Sequence, residues 1–159
     1  MNKFPRSAYI HIPFCHRRCF YCDFAVIPLG NKIESYQGYG SKTIKEYLHF
    51  LYKEILSIKH KSPLSTIYIG GGTPSILCPQ QIKDLIKLFK ENYGLDYGAE
   101  ITMEVDPASF NQDDLYGFIN AGINRFSLGA QSFNNQILQN AGRRHLREDV
   151  EKCLSLIHI

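Results

Sequence analysis

Two hydrophobic periodicities take turns along the chain. Ala8–Ile12, Thr66–Ile69, Glu100–Val105 and Arg125–Leu128 are short runs that read as strands. Between them apolar residues return at three- and four-residue steps, as in Ile44, Tyr47, Leu48, Leu51, Ile55 and Ile58. A second helix is predicted from about Gln80 to Tyr93, with Ile82, Leu85, Ile86 and Phe89 on one face, Pro79 at its entry and Gly94 at its exit. A third runs from about Asn111 to Ala121 and stops at Gly122. The fourth unit carries a short turn after Phe133 and a helical stretch from about Arg147. Residues 23–41 hold Pro28, Gly30, Gly38 and Gly40 without a period and read as a long loop.

Strand then helix, repeated along the chain, predicts an α/β fold with a parallel sheet and right-handed crossovers. No internal repeat, low-complexity tract or domain boundary interrupts the pattern. Unusual residues gather where the strands end. Cys15, Cys19 and Cys22 follow the first, Gly70–Pro74 the second, Glu104 and Asp106 close the third, and Gln131 the fourth. Parallel sheets and barrels bind ligands at the carboxyl ends of their strands. These elements are therefore expected to share one mouth.

Composition adds mainly exclusions. The 159 residues suffice for one domain with a core, and 44% hydrophobic with 13% aromatic residues suits a globular chain. The formal charge is +3, from 18 basic and 15 acidic residues, and the cluster Arg143, Arg144 and Arg147 has Glu148, Asp149 and Glu151 beside it. No nucleic-acid footprint emerges from that scatter. No apolar run approaches the ~18–20 residues that span a bilayer, and the N-terminus lacks the apolar core of a secretory signal. Five cysteines, an odd number with three crowded together, fit a reducing cytoplasm better than a disulfide framework.

Those three cysteines are spaced C-x3-C-x2-C on one loop. Thiolates so close can point at one centre, and three of them leave a coordination position open where a structural site would want four ligands. A cluster with one iron free of protein ligands could then take a chelating small molecule bearing an amine and a carboxylate. The glycine run would let backbone approach such a ligand closely. Glu104, Gln131 and Arg143 could meet its hydroxyl, amide and carboxylate groups, Arg being the natural carboxylate clamp. Blander readings stand beside these. The cysteines could hold structural zinc with His11 or His16 as fourth ligand. The glycines could form a tight turn or phosphate cradle, and Glu104 a buried ion pair. Gln131 could satisfy backbone groups, and Arg143 could be a solvated surface residue. His145 is an ordinary satisfied histidine on this view, Cys78 and Cys153 structural thiols, and Asp106-Pro107 the start of a turn.

Taken together, the motifs resemble the radical S-adenosylmethionine (SAM) proteins, whose hallmark is this cysteine spacing with an aromatic residue before the last Cys. The narrower resemblance is to the HemN/HemW group of oxygen-independent coproporphyrinogen III oxidases and haem chaperones. It is carried by Tyr9–Cys15, Gly70–Ser75, Met103–Pro107, Ser127–Asn134 and Gly142–His145, in order over nearly the whole chain. The resemblance implies a [4Fe-4S] cluster on Cys15, Cys19 and Cys22, with SAM chelating the fourth iron. Tyr9, Tyr21, Gly71, Gly72, Thr73, Glu104, Gln131 and Arg143 fall on the family's SAM-contacting positions. The fold it implies is a partial TIM-like (β/α)6 barrel, of which this chain supplies the first four β/α units.

The oxidases carry a further cysteine two residues after the third; here that position is Phe24. Cys22-Asp-Phe and the Gly-Arg-x-His ending are similar to the chaperone branch, which binds haem and delivers it to acceptor proteins. Haem, SAM and acceptor proteins are thus the expected partners, with a homodimer as the expected assembly. Coproporphyrinogen oxidation is the alternative. Residues 1–153 are expected to be the N-terminal part of a radical SAM core. Leu154–Ile159 look foreign to the family and match what the leading bases of a common transposase sequencing adaptor encode, so the chain is expected to be a gene fragment.

Overall fold

A computed structural model describes residues 4–30, 39–58 and 62–157. Its elements are strands β1 (Ser7–Ile12), β2 (Phe14–Cys15) and β3 (Ile27–Pro28), helix α1 (Tyr39–Ser57), and β4 (Leu64–Gly71) with α2 (Pro79–Asn92). Then come β5 (Leu95–Val105), α3 (Gln112–Ala121), β6 (Arg125–Leu128), α4 (Asn135–Asn140) and α5 (Arg147–Ile157). Four strands form one parallel sheet in the order β1-β4-β5-β6. Each long strand lies beside the next long strand in sequence, so the sheet advances in one direction like a barrel wall and does not reverse as a doubly wound sheet does.

Alternation within the strands gives the wall two unlike faces. Ile10 and Ile12, Ile67 and Ile69, and Ile101, Met103 and Val105 are buried on one side. Ile44, Leu48 and Ile55 of α1, Ile82, Leu85, Ile86 and Phe89 of α2, and Phe118 of α3 join them in a single core. The other face is polar and aromatic: Tyr9, Tyr68, Thr102 and Arg125 lie in register across β1, β4, β5 and β6. A sheet covered by helices on both faces reads as continuous apolar runs. Here the second face is the inner wall.

The predicted strands and helices are present, some with longer reach. β5 begins at Leu95, ahead of the predicted Glu100, and the expected turn after Phe133 is the short helix α4. The loop expected over 23–41 holds β3, and α1 already begins at Tyr39; residues 31–38 lie outside the described residues. Leu154–Ile157 continue α5, while residues 158 and 159 lie outside the described residues. Local chemistry sets the helix ends. At α3, the Asn111 side chain accepts from the Asp114 N–H at 3.0 Å while the Asp114 carboxylate accepts from the Asn111 N–H at 3.1 Å. At α2, Pro79 occupies the first turn and Gln81 Oε1 accepts from the Cys78 N–H at 2.9 Å.

Candidate functional site

The cysteine loop leaves the sheet through a short parallel ladder. Ile27 N–H donates to the Pro13 carbonyl at 2.7 Å and Leu29 N–H to Cys15 at 2.8 Å, which closes the stem of the loop. At its tip Cys22 N–H donates to the Cys19 carbonyl at 3.1 Å, and Arg18 reaches the Cys22 carbonyl at 3.1 Å. The far side of the loop docks on the link between α4 and α5. Phe20 N–H donates to the Ala141 carbonyl at 3.1 Å and Arg17 to the Arg143 carbonyl at 2.6 Å. The first and fourth units therefore meet at the cysteines.

The glycine run that ends β4 lies against this loop. Gly72 N–H donates to the Ile12 carbonyl and Thr73 N–H to the Phe14 carbonyl, both at 2.8 Å. A Cβ on Gly72 would stand 2.6 Å from the Phe14 oxygen and 2.9 Å from Cys15 Sγ, closer than real atoms approach. Gly71 has φ +117, a backbone state that side chains resist. Its N–H donates to Glu104 Oε2 at 3.0 Å, and the Tyr68 hydroxyl donates to Glu104 Oε1 at 2.7 Å. Both carboxylate oxygens of Glu104 are thus oriented from β4.

Two of the thiols have donors aimed at them. Thr73 Oγ1 lies 3.4 Å from Cys15 Sγ and Arg143 Nη1 3.5 Å from Cys19 Sγ. Burial pushes the Cys15 thiol up, and the neighbouring Cys22 and Cys19 add to this against the Thr73 hydroxyl. Arg143 is mostly buried. Its Nη2 lies 2.5 Å from Asp106 Oδ2 and 2.9 Å from the Gly129 carbonyl, and its buried Nε–H has no partner among the described residues. Burial would raise the Asp106 carboxyl, but the Arg143 guanidinium and the Ala108 N–H that face it hold the carboxyl below its ordinary value. Gln131 is the one non-glycine residue at positive φ among the described residues, at 63°.

These pieces enclose one cavity of about 590 Å³, within the range of small-molecule sites. Cys15, Cys19, Cys22, Tyr21, Gly71, Gly72, Thr73, Glu104, Gln131 and Arg143 all line it, with Phe24 and Asp106. Tyr9 does not. Its ring stacks on Tyr68 at 6.1 Å, and it approaches the cavity only through the tyrosine that holds Glu104. Sequence reasoning placed Asp106 at the mouth without a role there and gave none to Tyr68 or His145; the spacing of Arg143 and His145 in the Gly-Arg-x-His run was the available signal. Among the described residues no three His, Cys, Asp or Glu side chains converge as the ligands of a single ion do. The thiols stand around a cavity, an arrangement suited to a cluster that takes each sulfur on a different iron. Of the two histidines in the zinc alternative, His16 lines the cavity, while His11 does not and has Nδ1 3.1 Å from the Tyr9 hydroxyl.

The family model of the radical SAM superfamily matches residues 9–158. The chain belongs to the radical SAM superfamily. Membership implies a [4Fe-4S] cluster and SAM as the family's cofactors. Among similar radical SAM proteins, the haem chaperone HemW of Synechocystis sp. is 41% identical over 154 residues, 96% of this chain and 36% of that protein. HemW of Lactococcus lactis is 39% identical, with 94% of this chain and 37% of that protein aligned. The oxygen-independent coproporphyrinogen III oxidase of Escherichia coli is 37% identical over 97% of this chain and 32% of that protein. A solved structure described as coproporphyrinogen III oxidase (HemN) from Escherichia coli, a radical SAM enzyme, superposes with a TM-score of 0.81 at 33% identity, covering 96% of this chain and 34% of that one. The parallel α/β wall is thus the radical SAM fold, and the chain spans about a third of the length of these relatives.

Proposed function

We propose that Cys15, Cys19 and Cys22 hold a [4Fe-4S] cluster with SAM beside it, and that the protein is a haem chaperone, taking up haem and passing it to acceptor proteins. One observation carries the cofactor part: the three thiols share a single cavity with the glycine run, Glu104, Gln131 and Arg143. When bound, the cluster and SAM would supply one-electron chemistry that side chains lack. The protein's part is placement. Gly71 and Gly72 keep the wall free of side chains, and Thr73 and Arg143 donate toward two of the sulfurs. Glu104, acceptor-only when ionised, suits an amine or hydroxyl, and Arg143 suits a carboxylate. Gln131 would offer an amide, and Tyr21, beside Cys19 and Arg143, closes that side. Tyr9 would act through Tyr68.

Phe24 directs the choice of branch. It lies on the cavity wall, largely exposed, at the position where the resemblance places the oxidases' further cysteine. A phenyl ring ligates no metal. Two of the similar proteins at 41% and 39% identity are named haem chaperones, which supports the same reading. The oxidase is the second reading, favoured by the 0.81 TM-score to the Escherichia coli enzyme. All five cysteines are unpaired thiols, as a cytoplasmic protein would keep them, and no helix among the described residues is long and apolar enough to cross a membrane.

Haem titration of the anaerobically reconstituted protein separates the readings. The chaperone reading expects stoichiometric haem uptake and release to an apo-acceptor, with coproporphyrinogen untouched. Conversion of coproporphyrinogen to protoporphyrinogen with SAM and reductant, without haem uptake, contradicts it.

A further inference from the structure

His145 is completely shielded from solvent. A buried polar ring costs free energy unless its nitrogens are used. Both of them are. Nε2 lies 2.9 Å from the Ala130 carbonyl and Nδ1 3.3 Å from Arg143 Nη2. A carbonyl only accepts, so a proton sits on Nε2. Nδ1 faces Arg143 Nη2, a group that only donates, as the longest of that nitrogen's three contacts after Asp106 and Gly129. Asp106 Oδ2 stands 3.9 Å from Nδ1, beyond hydrogen-bond reach, and meets the same Arg143 nitrogen instead.

One ring thus ties two separate parts of the cavity wall. At one end it fixes the carbonyl immediately before Gln131, whose left-handed backbone needs its surroundings to hold it. At the other it seats the guanidinium that reaches Cys19 Sγ. We propose that His145 is a positioning residue for the cofactor site, acting through Arg143 on the Cys19 sulfur and through Ala130 on the Gln131 turn. The inference rests on the cofactor reading above.

Two amides separate its two contacts. His145→Asn keeps an acceptor near the Nδ1 position, and His145→Gln keeps a donor near the Nε2 position. Both are compared with the parent at equal iron content, reading the cluster midpoint potential and the SAM dissociation constant. Hydrogen bonds to the sulfurs tune such potentials. His145→Gln is expected to lower the potential and weaken SAM binding on the order of tenfold, the usual effect of losing an orienting contact. His145→Asn is expected to keep the parental potential while SAM binds more weakly through the loosened Gln131 turn. Variants that lose stability in denaturant but keep parental potential and affinity overturn the proposal, since His145 then only fills space. Should either variant fail to fold, nitrogen-15 shifts of the parent ring decide: Nε2–H with bare Nδ1 is expected, and any other state overturns the assignment. A parent that takes up no cluster sinks the cofactor reading itself. A loaded parent with indistinguishable variants sinks the positioning role alone.

Discussion

Gly72 shows how little room single residues have in this site. A methyl group there would meet the Phe14 carbonyl and Cys15 Sγ below 3.0 Å. Gly72→Ala is therefore expected to destabilise the cluster-free protein by about 1–3 kcal/mol, as overpacking does, and to reduce iron uptake. Denaturant melts and iron analysis check it; an unchanged midpoint with full iron content would contradict the packing argument. Asp106 makes a prediction about pH. Its carboxyl is held below the ordinary 3.8, so the native state favours the charged form. The stability it contributes is complete above the unfolded-state value and is lost as pH falls through the lower folded value. Asp106→Asn should flatten the acid limb of the stability curve below about pH 4 relative to the parent. Superimposable acid limbs would show that the Arg143 pair carries no such coupling. The sequence marks Asp106 as a strand-end residue at the mouth, or with Pro107 as the start of a turn, but not as the partner of Arg143, because a partner 37 residues away leaves no local trace. Tyr9 was taken from the resemblance. The side-chain alternation of β1 puts it on the inner wall, one tyrosine removed from Glu104.

At the scale of elements, the fold was largely legible because each strand or helix carries its own period over many residues. Ile67 and Ile69 on β4, and Ile82, Leu85, Ile86 and Phe89 on α2, sit in the core as their spacing demands. β2 and β3 were not legible, since two residues each are too few to carry a period and the ladder is held by backbone groups alone. The start of β5 was missed because Gly98 and the exposed Tyr97 break its alternation. Ile69 is fully buried one residue before the glycine run. Ile69→Ala should cost about 2–5 kcal/mol in denaturant unfolding. It should also weaken iron uptake more than an equally destabilising change in α3, because β4 feeds the cavity directly. Equal loss of iron in both would mean that β4 serves the site only through global stability.

Over the whole molecule, the mouth at the strand ends follows from topology. Consecutive parallel strands with helices on one face bring every carboxyl end to the same side. That is why a cysteine loop, a glycine run, a glutamate and a glutamine so far apart in sequence line one cavity. The branch between chaperone and oxidase turns on far less, one phenylalanine on that wall. The claim beneath both is that three cysteines hold a cluster and the rest of the cavity takes SAM. Anaerobic reconstitution followed by iron and sulfide analysis and electron paramagnetic resonance tests it most directly. About four iron and four sulfide per chain, with a reduced-cluster spectrum that changes when SAM is added, is the predicted result. A colourless protein holding one zinc, or a cluster whose spectrum ignores SAM, would contradict it.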